Sequence, residues 1–403
     1  MENQAMENNE LLTWLFEAQK HDYAAILLSN NYTDEYGRFD AIAGFGSRKI
    51  FRTPEELDEF KGLALGHISY QYKNSIPNIV PTENHEVSIP GFSFFEPKSA
   101  ILVERNGEKR HLGETIIFDT ELDIDAIQEI GEWVGTTEKE QYLDTVSRIR
   151  EDIRNGVYYE LNYCMQFSAD ANINPYTLFY HLNKLAPSPF AAFYKYKNHF
   201  VLCASPERFL QKNNQKLISQ PIKGTRKRIH GKEEETIHEL SVHEKDLAEN
   251  IMIVDLVRND LSRICKAGSV LVPELCKIYT FSHVHQMIST VIGELQEGVH
   301  FLDVIHSTFP MGSMTGAPKI EVMRNIDILE DFNRENYSGS IGYFFEGNFD
   351  LNVVIRSLEY CNHKLKYSVG GAITYDSIAI EEYEECLTKA AGIFELMNKV
   401  KGN

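Results

Sequence analysis

The sequence predicts an α+β fold, and two observations carry this prediction. Many short runs rich in β-branched and aromatic residues are bounded by Gly, Pro, Asn or Asp, which is typical of strands. A few longer segments instead repeat their apolar residues at helical spacing. Because the strand runs are not regularly interleaved with these helices, a doubly wound parallel sheet is not expected, and most strands should pair antiparallel.

The first part of the 403-residue chain is rich in strands. The strands predicted there are 23–30, 64–72, 99–106 and 114–120. The character of the sequence changes near residue 130, and no repeat or low-complexity linker marks the change. We therefore expect an N-terminal β-rich subdomain, 1–130, packed on a larger domain, 131–403, which this length allows.

The second part combines strands with four helices, one of which starts near Pro318 with Ile320, Met323 and Ile326 as its buried side. Leu143, Val146, Ile149 and Ile153 recur at helical spacing, and Gly156 is expected to end this helix. Two more helices are predicted at about 233–264 and 378–400. The predicted strands are 157–169, 190–196, 199–210, 216–224, 283–295, 338–347, 349–361 and 364–375.

Composition limits the kinds of partner. The formal net charge of -19 argues against nucleic acid or an anionic membrane as the main partner. No stretch approaches the length of a membrane-spanning helix, and the first apolar cluster, "LLTWLF", is too short for a signal sequence. The six cysteines form no C-x-x-C pair. We expect buried thiols and a cytoplasmic protein.

Acidic residues recur on one face of two predicted helices. Asp246 and Glu249 are three residues apart, and Glu382, Glu385 and Lys389 share a face of the last helix. Two such edges facing each other would offer oxygen ligands to Mg²⁺. The alternative at this point is that both are ordinary solvated helix faces.

Two glycine-containing segments are candidates for ligand contact. "GSMTGAPK" fails the phosphate-loop template, but the free N–H groups of Gly316 and Ala317 at a helix start near Pro318 could hold an anion. In "SVGGAITYDS", Gly370 and Gly371 would let the backbone approach a ligand closely. Taken alone, each segment could equally be a tight turn.

The stretch "SQPIKGTRKR" places a lysine where no regular helix can form. Lys223 follows a turn at Pro221 and precedes the flexible Gly224. It could be a solvated loop charge or a nucleophile aimed by a stiff loop, and the residues alone leave both open.

A set of motifs occurs in a fixed order along the chain: "SPERF", "PIKGT", "KDLAENIMIVDLVRND", "GSMTGAPK", "GSIGY", "IRSLE", "GGAITYDS" and "EEYEECLTKA". Together they resemble the chorismate-utilising enzymes, which include anthranilate, aminodeoxychorismate, isochorismate and salicylate synthases. The resemblance covers residues from about 140 to 395 and is weaker before that. It implies a large, mostly antiparallel β-sandwich core flanked by helices, with 131–403 as the chorismate-binding catalytic domain.

Within this family, "PIKGT" is similar to the large subunit of aminodeoxychorismate synthase, whereas anthranilate synthases usually carry alanine in place of Lys223. The resemblance implies that Lys223 is a covalent nucleophile that adds to C2 of chorismate. It implies that Glu207 of "SPERF" is the general acid that protonates the hydroxyl leaving C4. These roles require a lowered pKa at Lys223 and a raised pKa at Glu207.

The resemblance also implies a magnesium site and a substrate site. Glu249 and Glu385 would bind Mg²⁺, with Asp246 and Glu382 in supporting positions. The residues implied for substrate binding are Thr225, Thr315, Gly316, Tyr343, Arg356, Gly370, Gly371 and Lys389.

Two positions depart from the family pattern. Glu160 stands where amine-forming members usually have glutamine and isochorismate-forming members have lysine, which argues against isochorismate synthesis. Gln286 stands where histidine is common, and the adjacent His285 should point to the other strand face.

The resemblance further implies a partner and a pathway. Because the chain shows no glutaminase signature, a separate glutamine amidotransferase subunit is expected to supply ammonia for 4-aminobenzoate and folate synthesis. One alternative is an anthranilate synthase component. An alternative of another class is a non-catalytic chorismate-binding protein.

Overall fold

The computed structural model describes residues 8–77, 79, 88–118, 129–281 and 284–401. In these residues two large antiparallel sheets pack face to face, and helices cover their outer sides. The helices are α1 (Asn8–Gln19), α2 (Glu55–Asp58), α3 (Lys139–Arg154), α4 (Pro175–Leu185), α5 (Glu233–Val242), α6 (Glu244–Ser262), α7 (Phe301–Thr308), α8 (Lys319–Leu329) and α9 (Ala379–Lys401). The α+β prediction is confirmed.

The strands of the first part of the chain are β1 (Tyr23–Leu28), β2 (Phe39–Phe45), β3 (Lys49–Phe51), β4 (Ala64–Ile68), β5 (Phe92–Glu96), β6 (Ser99–Glu104), β7 (Lys109–Gly113), β8 (Glu129–Ile130) and β9 (Val134–Gly135). Those of the second part are β10 (Glu160–Asn172), β11 (Phe190–Tyr196), β12 (His199–Ser205), β13 (Arg208–Asn213), β14 (Lys216–Gln220), β15 (Ile222–Lys227), β16 (Leu271–Thr280), β17 (Val284–Glu294), β18 (Gly316–Ala317), β19 (Ser340–Phe345), β20 (Asn348–Asn352), β21 (Ser357–Cys361) and β22 (Lys364–Ile373).

Both sheets mix strands from the two parts of the chain. Along the first sheet the described order is β18-β10-β22-β21-β12-β11-β1-β2-β6-β7, with β8 and β9 also pairing with β10. Along the second it is β15-β17-β14-β13-β20-β19-β4-β5-β3, with β16 also pairing with β17. The N-terminal strands thus extend both sheets, and a domain boundary near residue 130 stays a prediction.

Apolar residues from both sheets form the layer between them. Ala25, Leu102 and Val201 of the first sheet pack in one buried cluster with Leu65 and Ile341 of the second. Because consecutive strand residues face opposite ways, the other faces of these strands are free to pack on helices. This arrangement is a β-sandwich, as the resemblance implied.

The helical prediction for 233–264 is corrected, because the segment divides into α5 and α6. His243 has an extended backbone (φ −73°, ψ 106°) that ends the first helix, and its Nδ1 accepts a hydrogen bond from the Asp246 N–H at 3.4 Å. This side chain caps α6. Gly156 ends α3 with φ +77°, as predicted.

Some elements were not predicted. The amphipathic helix α4 and the edge strand β16 were missed, and residues 114–118 form no strand, while 119–120 lie outside the described residues. All six cysteines are described as free thiols, four of them buried and Cys276 and Cys361 half-buried. Within the described residues, no helix combines the length and apolarity that crossing a bilayer requires.

Candidate active site

Lys223 lies on β15, where the second sheet meets α6 and the start of β10. Its Nζ donates a hydrogen bond to Glu160 Oε1 at 3.1 Å and lies 3.9 Å from Glu249 Oε2. The Lys223 side chain is 10% exposed and that of Glu160 is fully buried. The lysine is therefore not a solvated loop charge but an ammonium enclosed by carboxylates.

The pKa of Lys223 is shifted in the direction opposite to the expected one, because of these neighbouring carboxylates. Burial alone would lower the pKa of the amine, but the carboxylates of Glu160 and Glu249 outweigh burial, so the pKa of Lys223 is raised. The lowered pKa expected from the resemblance did not allow for two carboxylates beside the ammonium. A proton acceptor must therefore act before Lys223 can attack a substrate.

Glu160 is the nearest acceptor. One of its oxygens, Oε1, receives the Lys223 hydrogen bond, while the buried Oε2 has no hydrogen-bond partner among the described residues. Glu160 is the first residue of β10 and lies opposite Ala317 of β18 in the first sheet. A buried carboxylate oxygen without a donor has acceptor capacity to spare.

Glu207 lies in the turn that joins β12 to β13. Its backbone N–H donates to Ser205 Oγ at 3.2 Å, which fixes the turn, and Ser313 Oγ donates to its Oε1 at 2.8 Å. Burial raises the pKa of Glu207 to about 7, although Ser313 and Lys223 act in the opposite direction. This direction is the one that a general acid needs.

We expect Ser313→Ala to shift the pH dependence of catalysis. Removing the hydroxyl that stabilises the Glu207 carboxylate should raise the pKa of this acid further, by about one unit for a charge-assisted hydrogen bond. Because the acid must be protonated, activity falls as pH rises through this pKa, and that fall should move to higher pH. The measurement is kcat against pH with free ammonia held constant, with Ser147→Ala on the exposed side of α3 as control. An unmoved profile would contradict the assignment.

The acidic edges of α6 and α9 face each other across the ammonium of Lys245. Its Nζ lies 2.9 Å from Glu382 Oε1 and 4.0 Å from Glu249 Oε1. Glu382 is 4% exposed and also accepts from Ser377 Oγ at 2.7 Å. Glu385 also lies near Lys245, and its carboxylate pairs with Lys389 Nζ at 2.8 Å. The two edges therefore meet, and the alternative of two separate solvated helix faces does not apply. Glu249, Glu382 and Glu385 are called the acidic group below.

These carboxylates are candidate ligands for a magnesium ion, which would take the place of the lysine ammonium groups now paired with them. Burial raises the pKa of Glu249 to about 7, and the neighbouring Glu160 carboxylate adds to this, so added positive charge nearby would be favourable. Glu249, Glu382 and Glu385 would supply the hard oxygen ligands that Mg²⁺ prefers. Asp246 lies near enough to Glu249 to raise the pKa of that carboxyl, but its own carboxylate pairs with Arg226 Nη2 at 3.0 Å.

Arg356 faces a cavity of 320 Å³ next to Glu207. Pro206, Phe281 and Gln286 line the same cavity. As expected, His285 points elsewhere, with its Nδ1 2.9 Å from Thr280 Oγ1. Arg356 is exposed and is therefore the candidate among these residues for contact with an anionic group of a bound molecule.

The two glycines of β22 have different environments. Lys389 Nζ donates to the Gly370 carbonyl at 2.9 Å, but a Cβ at Gly370 would lie 2.4 Å from Cys164 Sγ. Gly370 is thus required by packing against β10. A Cβ at Gly371 would lie 3.5 Å from Glu382 Oε2, so Gly371 borders the acidic group.

The prediction that Gly316 and Ala317 of "GSMTGAPK" stand at a helix start is wrong. Gly316 and Ala317 form β18, and α8 begins only at Lys319, so they do not stand at a helix start. The Thr315 hydroxyl donates to the Met311 carbonyl at 3.1 Å. Gly316 has φ +136°, and a Cβ there would lie 2.1 Å from the Glu160 carbonyl oxygen. This glycine lets β18 pair closely with β10.

Two other residues that were predicted to bind substrate do not line the site around Lys223. Thr225 is exposed on β15. Tyr343 packs edge-on against Phe39 at 5.4 Å and lines a different cavity, which includes Arg208 and Asp34. Sequence reasoning missed Ser313 and Lys245, although both lie inside the quoted motifs.

The chain matches the family described as chorismate binding enzyme over residues 18–395. It belongs to the chorismate-binding enzymes. This confirms the resemblance read from its motifs. It is 32% identical to aminodeoxychorismate synthase component 1 of Escherichia coli over 95% of each chain. It is 31% identical to the Bacillus subtilis protein of the same name, over 84% of this chain and 77% of that one.

Related enzymes of this family share the fold. Anthranilate synthase component 1 of Bacillus pumilus is 39% identical over 65% of this chain and 52% of its own. The crystal structure of anthranilate synthase component I from Streptococcus pneumoniae matches with a TM-score of 0.77, at 24% identity, over 89% of this chain and 92% of that one. The fold of this chain is therefore shared with a solved anthranilate synthase component.

Proposed function

We propose that this chorismate-binding enzyme converts chorismate and ammonia to 4-amino-4-deoxychorismate, as component 1 of an aminodeoxychorismate synthase. The observation that carries the proposal is Lys223 in "PIKGT", enclosed between Glu160 and Glu249 and close enough to Glu207 to affect its pKa. The long matches to proteins named aminodeoxychorismate synthase component 1 support the same product.

The first half of the proposed reaction uses three side chains. Glu160 takes a proton from Lys223, whose Nζ then forms a bond to C2 of the ring. The ring double bonds shift, the C4–O bond breaks, and Glu207 gives its proton to the departing oxygen, which leaves as water. The raised pKa of Glu207 keeps part of this acid protonated near neutral pH.

The second half restores Lys223. Ammonia forms a bond to C4, the double bonds shift back, and the C2–N bond breaks so that its electron pair returns to the lysine, which takes back its proton from Glu160. The proton lost by the incoming nitrogen can pass to the Glu207 carboxylate, which regenerates the acid. Each bond formed is thus matched by one broken, and no oxidant or reductant is required.

Positive charge is needed to hold the anionic substrate against this acidic surface. We propose that Glu249 and Glu385, with Glu382, bind Mg²⁺, which would neutralise a substrate carboxylate when bound. Arg356 in the 320 Å³ cavity and Lys389 beside Gly370 would hold the remaining anionic groups.

The proposal includes a partner. A glutamine amidotransferase subunit would release ammonia to this chain, and the product would serve 4-aminobenzoate and folate synthesis in the cytoplasm. The principal rival is an anthranilate synthase component, which uses the same substrates and aminates C2. A non-catalytic chorismate-binding protein is the rival of another class.

A product assay separates these functions. With chorismate, Mg²⁺ and ammonium salt at raised pH, the purified chain should form 4-amino-4-deoxychorismate, identified by chromatography against standards. Glutamine should not replace ammonium unless an amidotransferase subunit is added. Anthranilate as the main product would establish the rival enzyme, and no turnover under any condition would support the non-catalytic protein. Efficient use of glutamine by the chain alone would refute the need for a partner.

A further inference from the structure

A second group of metal-ligating side chains lies outside the Lys223 site, at one end of the first sheet. His199 begins β12 and lies directly opposite Cys361, the last residue of β21. Glu359 is two residues before Cys361 on the same strand, so its side chain shares a sheet face with that of His199. Glu335 approaches from a turn, with φ +50°.

These side chains are close together and buried. His199 Nε2 lies 3.0 Å from Glu359 Oε2, and the ligand atoms of His199, Glu335 and Glu359 all lie within 4.8 Å of one another. The three residues are 3%, 3% and 6% exposed, respectively. Bonds of about 2.0–2.2 Å in a tetrahedral zinc site would place the ligand atoms about 3.3–3.6 Å apart, so the more distant of these atoms must move closer to bind one ion.

A fourth side chain adds an independent observation. Asn336 is 1% exposed, and its Nδ2 donates to Glu359 Oε2 at 3.1 Å. The Oδ1 of the same amide is buried and has no hydrogen-bond partner among the described residues. Rotation of the amide would exchange the two ends, so Oδ1 would face Glu359 in place of Nδ2 and could then serve as a further ligand for a cation.

We propose that His199, Glu335 and Glu359 hold a divalent transition-metal ion, with Asn336 Oδ1 as a further oxygen donor. One imidazole with two carboxylates and an amide oxygen suits zinc, whereas magnesium sites usually contain oxygen ligands alone. The site is structural, since it is buried and shares no residue with the acidic group of α6 and α9. It joins β12 and β21 to the turn at Glu335, whose neighbour Tyr337 donates its N–H to Glu359 Oε1 at 3.2 Å.

The competing arrangement is a network of ion pairs without a metal. The same groups can pair as His199 with Glu359 and Lys366 with Glu335, the latter at 3.2 Å. A cation must compete with both pairings and with Ser88, whose Oγ lies 2.7 Å from Glu335 Oε1 and 3.2 Å from His199 Nδ1. Lys366 must also give up or share Glu335. Direct measurement of metal binding therefore decides between the two.

Cobalt is a suitable probe, because Co²⁺ in a site of low coordination number absorbs visible light. The full chain, freed of metal by chelation and held in excess Mg²⁺, is titrated with Co²⁺ and then with Zn²⁺. We expect one equivalent of Co²⁺ to give a visible band that one equivalent of Zn²⁺ removes. His199→Gln and Glu335→Gln should each weaken this binding by about 100-fold or more, since each removes a direct ligand.

Matched variants make the result interpretable. Glu249→Gln and Glu385→Gln should leave the Co²⁺ band unchanged, which separates this site from the proposed magnesium site. Two ligand variants are used so that poor folding of one, judged by circular dichroism, leaves the other informative. No saturable band in the wild-type chain, or equal binding by the wild type and a folded ligand variant, would overturn the proposal and leave an ion-pair network only.

Discussion

Replacing Lys223 by alanine is expected to lower formation of 4-amino-4-deoxychorismate by about 10³-fold or more, because the variant lacks the proposed nucleophile. Chorismate binding should persist, since the proposed ligands of its anionic groups remain. Traces of product aminated at C2 are expected, because the variant then carries the alanine usual in anthranilate synthases. The measurement is the initial rate of each product with saturating ammonium and Mg²⁺.

Two control variants sharpen this prediction. Lys223→Arg should not restore activity, because a guanidinium stays protonated and cannot attack carbon. Lys227→Ala, an exposed lysine on the same strand β15, should leave the rate nearly unchanged. Near-normal formation of the C4 amine by Lys223→Ala would reduce Lys223 to an electrostatic contact.

The second large effect concerns the acidic group between α6 and α9. Glu249→Gln and Glu385→Gln should each lower turnover by about 100-fold or more in limiting Mg²⁺, because each removes one of the proposed charged oxygen ligands. The fold should persist, since Glu385 is half exposed and neither residue lies in an apolar cluster. Rates measured against Mg²⁺ concentration, together with circular dichroism, check both statements.

Glu384→Gln is the matched control for this prediction. Glu384 is exposed on α9 next to Glu385, but it lies on another helix face. Its replacement should leave the magnesium dependence as in the wild type. Full activity of either Glu249→Gln or Glu385→Gln in limiting Mg²⁺ would exclude the proposed ligands.

The sequence predicted the fold class and most strands because alternating apolar runs and turn residues are local signals. The break at His243 was missed, since a helix cap depends on one side chain that folds back onto the backbone. The edge strand β16 was missed because alternate residues along it are exposed, and Leu271 and Leu275 face outward. A weakly buried strand carries a weak apolar pattern.

At the site, the ordered motifs identified Lys223, Glu207 and the carboxylates of two helices. The raised pKa of Lys223 could not be predicted, because Glu160 lies 63 residues away and meets the lysine only when β10 and β15 are in place. The His199–Glu359 contact joins residues 160 apart and depends on strand register. Such contacts follow from topology and not from local sequence.

The covalent role of Lys223 can be tested most directly by mass mapping of peptides from the wild-type chain incubated with chorismate and Mg²⁺ in the absence of ammonia. The mechanism predicts that the peptide containing Lys223 gains the mass of chorismate less one water, and that added ammonium removes this adduct while 4-amino-4-deoxychorismate appears. The Lys223→Ala chain should show no adduct. An unmodified Lys223 peptide, trapped at several times during the reaction while product still forms, would contradict the covalent mechanism.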